Sequence, residues 1–165
     1  MMKVECSNCG AQARVERGSY HFKECGLTNV ALLGIEITRC PECGNEDPII
    51  PHFNDLMRTL ALAIITKPYR LQGEDVRFLR KYLGLTGESF AQLLNVDKTT
   101  LSKWENGADR VGDQSDRLVR AVAVMACDEL KEKLHELLEL FRKKQSRRDS
   151  VTIEMNTKDL TYHYV

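Results

Sequence analysis

Apolar residues recur at helical spacing through the middle of this chain and alternate at period two near both ends. Leu56, Met57, Leu60, Ala61, Ala63, Ile64 and Ile65 predict a helix that Asn54 or Asp55 caps and Pro68 stops. It is apolar on more than one face, so it is expected to lie buried between units. Gly73-Glu74-Asp75 opens a second helix with Val76, Phe78, Leu79, Tyr82 and Leu83 inward. Its Arg77, Arg80 and Lys81 point outward, to phosphate or simply to solvent. The stretch 85–107, LTGESFAQLLNVDKTTLSKWENG, predicts two short helices, 87–94 and 98–106, joined by a tight turn. Phe90, Ala91, Leu93 and Leu94 form the inner face of the first; Leu101 and Trp104, three apart, form that of the second. Asp97 is the expected N-cap and Gly107 the stop. The opposite side carries Lys98, Thr99, Ser102 and Lys103, with Thr100 at its margin, all donors on a helix short enough to enter a major groove.

Asp113 or Ser115 opens a further helix, with Leu118, Val119, Val122, Ala123 and Ala126 expected inward and Arg117 and Arg120 on the opposite side. Cys127 then reads as a small core residue. In 128–144, Leu130, Leu134, Leu137, Leu138 and Phe141 make one stripe, either core or dimer seam, and the seam is favoured. The run from Arg142 to Arg148 is the most basic local cluster, a phosphate-binding tail or a solvated linker. Period-two alternation marks strands over 19–23, 29–33 and 35–38, with Gly26 and Gly34 between them. Val151 to Met155 and Leu160 to Tyr164 read as a hairpin turning at 156–159. Two strands alone are marginal in water, so the hairpin must pair with the N-terminal sheet, a partner subunit or another protein.

Six cysteines bring in chemistry. Cys6-Ser7-Asn8-Cys9-Gly10 and Cys40-Pro41-Glu42-Cys43-Gly44 are matched knuckles, each setting two thiolates on a tight loop. Together Cys6, Cys9, Cys40 and Cys43 supply the tetrahedral thiolate set that suits a structural Zn²⁺. Redox pairs or an iron–sulfur centre would not explain why the two loops match. A unit this small buries too little apolar surface to hold itself, and zinc would supply on the order of 10 kcal/mol. Four thiolates leave no open position for water, and no His-x-Glu deaminase pattern is present, so the chain reads as no enzyme. Cys25 is expected as a packed thiol, and His21 and His52 as ordinary histidines. Formal net charge is zero, so attraction to DNA must come from local clusters and specific base contacts. The absence of a long apolar stretch or a signal-peptide core points to the cytoplasm, where cysteines serve metals rather than disulfides. The expected fold is α+β: a small zinc-stabilised antiparallel β unit (1–53), a linking helix (54–72), a helix-turn-helix domain (73–126) and a C-terminal helix with a β-hairpin (127–165).

Residues 71–126, and TLSKWENG above all, resemble the five-helix Cro/repressor-type helix-turn-helix. The competing reading, an antiparallel helix pair with a polar surface, does not account for the capped helix with its Trp-Glu-x-Gly ending. Two Cys-x-x-Cys-Gly loops, then GEDVRFLRKYLGLTG, then TTLSKWENG, in that order, resemble MqsA-type antitoxins of bacterial toxin–antitoxin pairs. The resemblance implies a DNA-binding homodimer that represses its own operon at an inverted-repeat operator, and a zinc unit that grips a toxin. A stand-alone repressor and a toxin-neutralising module are the alternatives. The family reads bases with an Asn and an Arg; the aligned positions are Thr99 and Lys103, which lack the bidentate fork, so the operator should differ. Gly87 stands where many relatives carry Gln, leaving only helix N-terminal amides for a phosphate. The expected DNA-binding set is therefore Arg77, Gly87, Lys98, Thr99, Thr100, Ser102 and Lys103, with Zn²⁺ as the cofactor.

Overall fold

The computed structural model describes residues 4–143 and 151–165. The basic run beyond Lys143 lies outside the described residues. Strands β1 (Val4–Glu5), β2 (Gln12–His21), β3 (Val30–Arg39) and β4 (Glu46–Ile49) are followed by helices α1 (Phe53–Thr66), α2 (Gly73–Tyr82), α3 (Gly87–Leu93), α4 (Lys98–Glu105) and α5 (Asp113–Ala126). A 3-10 segment, Asp128–Lys133, leads into α6 (Leu134–Arg142), and β5 (Ile153–Asn156) and β6 (Tyr162–Tyr164) end the chain.

The sheet has six strands, and β3 is its spine. One edge of β3 pairs with β2; the other is shared between β4, against Glu36–Arg39, and β5, against Val30–Leu33. The C-terminal hairpin thus joins the N-terminal sheet, and β5 does so in parallel, the one departure from the expected antiparallel pairing. Strands 29–33 and 35–38 are one strand, not two. Gly34 (φ +70°) carries the chain through an irregularity opposite Ser19, where the register shifts between Gly18 and Tyr20. Likewise β2 begins at Gln12 rather than at Ser19. Its first half alternates only with small side chains, Ala13 and Val15 against the exposed Gln12, Arg14 and Glu16, and lies beyond the main core.

Helix α1 is the wall on which both halves rest. Leu56, Leu60 and every residue from Ala61 to Thr66 are buried. One continuous apolar core takes in Phe22, Val30, Leu32, Ile35 and Ile37 of the sheet unit, Leu60 and Ile64 of α1, Val76, Phe90, Leu101 and Trp104 of the middle helices, and Ile153 and Met155 of the hairpin. Helix α1 starts earlier than expected, with His52 (φ 51°) rather than Asn54 or Asp55 at the cap position; Leu56 N donates to His52 O at 3.0 Å as the chain turns out of β4. Tyr164 Oη donates to Ala63 O at 2.6 Å, and Tyr162 and Tyr164 hydroxyls lie 3.0 and 3.4 Å from Thr66 Oγ1, so the hairpin is pinned to the end of α1.

Two expectations for α5 and α6 fail. Arg120 is not on the outer side of α5: it is fully buried on the face of Asp116, Val119 and Ala123, while Leu118 (41 % exposed) and Ala126 face outward. The guanidinium is accommodated because everything around it accepts. It donates to Ile65 O, Lys67 O and Tyr69 O, each at 2.7 Å, and to Asp116 Oδ2 at 3.0 Å. The 128–144 stripe also splits. Leu130, in the 3-10 segment, and Leu137 are buried, while Leu134 and Leu138, one turn apart on a neighbouring line of α6, are about half exposed.

Candidate nucleic-acid interface and metal centre

Helix α3 starts where Thr86 Oγ1 accepts from Ser89 N at 3.1 Å; this cap was legible as Thr-x-x-Ser but was not drawn from the sequence. Asn95 (φ 51°) turns the chain, and α4 begins after Asp97. Asp97 does occupy the N-cap position, but its carboxylate makes no capping hydrogen bond, so the start of α4 rests on backbone geometry and tertiary packing. Leu101 and Trp104 anchor the helix in the core. Lys98, Thr99, Ser102 and Lys103 are exposed and Thr100 is half-buried, so one side of α4 is held and the other offered. Lys98 and Thr99 have no side-chain partner among the described residues. Ser102 Oγ accepts from Asn106 Nδ2 at 3.3 Å. Lys103 Nζ lies 3.7 Å from Asp109, both exposed, an interaction worth little in water and readily exchanged for another anion. Gly87, the first residue of α3, has open space around its Cα.

What holds α4 at its angle was mostly missed. Arg80 grips Glu105 with Nε and Nη2 at 2.7 and 2.9 Å and donates through Nη1 to Leu85 O at 3.1 Å. Arg77 donates to Glu105 O and, at 2.7 Å, to Asn106 Oδ1. Both arginines were read as outward-facing; the side chain of Arg80 is only 16 % exposed, and Arg77 is spent on the C-terminal carbonyl end of α4, where a cation is favoured. The two guanidiniums and the Glu105 carboxylate lock α2, the α2–α3 turn and α4 together. Bonding to Glu105 raises the Arg80 pKa further. Gly73 completes the clamp: a Cβ there would sit 1.8 Å from Trp104 O, so the first turn of α2 abuts the backbone of α4 at a distance only glycine permits.

At the far end of β2 and β3, the two knuckles have the same hydrogen bonds. Cys6 N donates to Ala11 O at 2.8 Å and Gly10 N to Cys6 O at 3.0 Å; Cys40 N donates to Asn45 O at 2.9 Å and Gly44 N to Cys40 O at 3.0 Å. Gly10 and Gly44 close them with φ of +73° and +70°. The four sulfurs lie within 4.8 Å of one another, with Cys6–Cys43 and Cys9–Cys40 at 3.6 Å. A tetrahedron with bonds of about 2.3 Å requires sulfurs about 3.8 Å apart, close to the spacing of the cluster, so the four thiols could hold a metal ion. The backbone amide of Asn45, aided by Asn8, lowers the Cys43 thiol to about 6. The amide of Ala11 favours the Cys9 thiolate too, but hydrogen bonding to Cys43 and Cys40 outweighs it and raises Cys9 to about 12. Asn45 Nδ2 reaches both Asp47 (2.8 Å) and Ser7 (3.2 Å), tying one knuckle to the other. Cys25 instead donates to Phe22 O at 2.9 Å, and burial raises it to about 11: a packed thiol.

The helix-turn-helix family model matches residues 76–114, from the first turn of α2 through α3 and α4 to the start of α5. With the geometry above, that match defines a DNA-binding module of the kind that regulates transcription. No curated protein matches the chain. No helix among the described residues is long and apolar enough to cross a membrane.

Proposed function

We propose that this chain is a sequence-specific repressor that reads an inverted-repeat operator as a homodimer, in the cytoplasm and without enzymatic activity. The observation that carries the reading is α4 itself: Trp104 and Leu101 fix its back while Lys98, Thr99, Ser102 and Lys103 stand exposed along its front. Thr99 and Lys103 make the base contacts, Lys98 and Thr100 flank them, and the amides opening α3 at Gly87 meet a phosphate. Arg77 braces α4 through Nη2, while the rest of its guanidinium, on a side chain 35 % exposed, is left to meet a phosphate. Two subunits set recognition helices about 34 Å apart, one turn of DNA. Zn²⁺ is the ion for the cysteine tetrad: four thiolates at tetrahedral spacing suit it and leave no open coordination position, so its role is structural.

The order of the pieces, tetrathiolate unit before helix-turn-helix, supports the narrower reading of an antitoxin that represses its own operon and grips a toxin through the zinc-bearing unit. The test of the first claim is selection of bound DNA from random sequence, followed by Lys103→Ala. The selected site is expected to be an inverted repeat. The variant should lose about 1–3 kcal/mol on that site and little on random DNA. Equal loss on both reduces Lys103 to a phosphate contact, and selection with no consensus ends the repressor reading. The antitoxin claim is tested by asking whether the full chain co-purifies with the product of the neighbouring gene; its failure leaves a stand-alone regulator.

A further inference from the structure

The loop after α4 turns back on the recognition helix and brings a carboxylate to one of its exposed cations. Gly107 (φ +73°) ends the helix with its N–H on Trp104 O at 3.0 Å, and the next two amides, of Ala108 and Asp109, both donate to Lys103 O, at 2.9 and 3.2 Å. Asp109 is therefore positioned by the carbonyl of the same residue whose ammonium it meets. Asp109 Oδ2 lies 3.7 Å from Lys103 Nζ, and both side chains are more than half exposed. The end of α4 that carries this loop is itself held, by Arg80 on the Glu105 carboxylate and by Arg77 on Glu105 O. We propose that Asp109 is a specificity-determining residue. It keeps the Lys103 ammonium for a neutral acceptor in the major groove, guanine O6 or N7, and denies it to the phosphates of unselected DNA. The proposal rests on the regulator reading above, in which Lys103 touches a base.

Donors and charges decide what the pair accepts. A lysine ammonium carries three N–H donors on one compact charge. With one on Asp109, two remain, and a guanine edge takes them without disturbing the pair because its acceptors are uncharged. A phosphate cannot do the same. To share the ammonium it must come close to the carboxylate, anion against anion. To take the ammonium outright it replaces one anion with another and leaves Asp109 bare beside a polyanionic backbone. Weak as the pair is in free protein, it thus cancels what Lys103 would gain on any duplex. Non-specific affinity is made almost wholly of phosphate contacts, so a cation withheld from them raises the ratio of specific to non-specific binding. A chain of zero formal net charge, which has no bulk attraction to DNA, depends on that ratio.

The test uses the full chain as wild type, Lys103→Ala, Asp109→Asn and the double variant, each checked for folding by circular dichroism. Each is titrated by fluorescence anisotropy against the duplex selected by wild type and against random-sequence duplex, from about 50 to 300 mM salt. Asp109→Asn removes the charge and keeps the size and the backbone hydrogen bonds. It is expected to raise affinity for random DNA about fivefold or more, with a salt slope steeper by about one, the signature of one added phosphate contact. Affinity for the selected duplex should rise no more than about twofold, so the ratio of the two falls. Without Lys103 the change should do little: Lys103→Ala and the double variant bind random DNA within about twofold of each other. An equal gain on both duplexes, a gain that survives without Lys103, or an unchanged affinity and slope on random DNA overturns the proposal. If selection still yields a consensus and Lys103→Ala loses affinity only there, such a result removes the role of Asp109 and leaves the regulator reading standing. Selection without a consensus, or equal loss from Lys103→Ala on both duplexes, strikes the base contact itself and this proposal with it.

Discussion

Removing the metal should melt one end of the molecule and leave the DNA-binding half standing. The cysteine tetrad belongs to a small cluster of its own, Cys6, Ala13 and Cys40 with Ala11 beside them, separate from the main core. Nothing from Val4 to Ser19 enters the main core, whose nearest members are Tyr20, Phe22, Ile35 and Ile37. Two alanines and the knuckle thiols bury few methyl groups, worth about 2–3 kcal/mol at 0.8 kcal/mol each. A structural tetrathiolate site contributes roughly 10–16 kcal/mol. The ion therefore dominates the stability of the tip and has little influence on α1 to α5. Hydrogen exchange on full-length protein, metal-loaded, metal-stripped, or carrying Cys40→Ser, reads this directly. Protection should vanish over about 4–16 and 38–47 and persist over 53–126, with DNA affinity changed by no more than about threefold. Loss of protection across α1–α4, or one cooperative transition that includes them, would refute the separation. So would a tip that keeps its protection without metal.

Gly73→Ala forces a methyl into Trp104 O; it is expected to lower stability by about 2–4 kcal/mol and to weaken DNA binding, because α2 or α4 must give way. Chemical denaturation and a binding titration check both, and an unchanged melting curve would mean that the contact is soft. Arg120→Met leaves Asp116 buried and unpaired with three carbonyls unmet, an expected cost of about 3–5 kcal/mol measured by urea unfolding. Burial drives the Tyr164 hydroxyl well above the ordinary tyrosine range. A raised folded value means that its contribution is present below about pH 10 and is lost as the unfolded chain ionises above that. Stability should accordingly fall in alkali, and the fall should be shallower in Tyr164→Phe; identical alkaline slopes would remove Tyr164 as its source.

How much was legible follows how local each signal was. The two cysteine loops, the α3–α4 pair and the inner residues Leu101 and Trp104 are written within a few residues of one another, and the structure has them as read, except that Leu93, expected on the inner face of α3, is 52 % exposed beyond the buried Phe90, Ala91 and Leu94. Helix α1, apolar on several faces, was rightly expected to be buried. Three things depended on distant partners. Arg80 reads as a surface cation until Glu105, twenty-five residues on, closes over it. Gly73 looks like a helix opening until the backbone of α4 arrives against it. The C-terminal hairpin declared that it needed a neighbour but not which; Val30 to Leu33 provides it, in parallel, a pairing no alternation pattern encodes. Arg120 was misplaced because helical phase puts it at the margin of an apolar face, where a charge normally turns to water.

That arginine repays a closer look, because replacing a buried ion pair with apolar residues is often neutral or favourable. Here the reason for the charge is the chain it faces. Between α1 and α2 runs the segment from Lys67 to Gln72, in which Lys67 and Leu71 are buried and several backbone groups meet charged side chains. Arg120 answers Ile65 O, Lys67 O and Tyr69 O, and Asp116 Oδ1 answers Leu71 N at 2.7 Å. Lys67 in turn neutralises Asp75 at 2.8 Å, whose carboxylate also accepts from Gln72 N and so opens α2. Arg120, Asp116 and Asp75 are thus hydrogen-bond partners of this connection's backbone, and leucines of equal volume would leave those groups bare. The same connection joins the wall under the sheet to the helix that carries Arg77 and Arg80. The orientation of α2, and of the α4 that Arg77 and Arg80 hold against it, is therefore tied through Asp75 and Asp116 to the core.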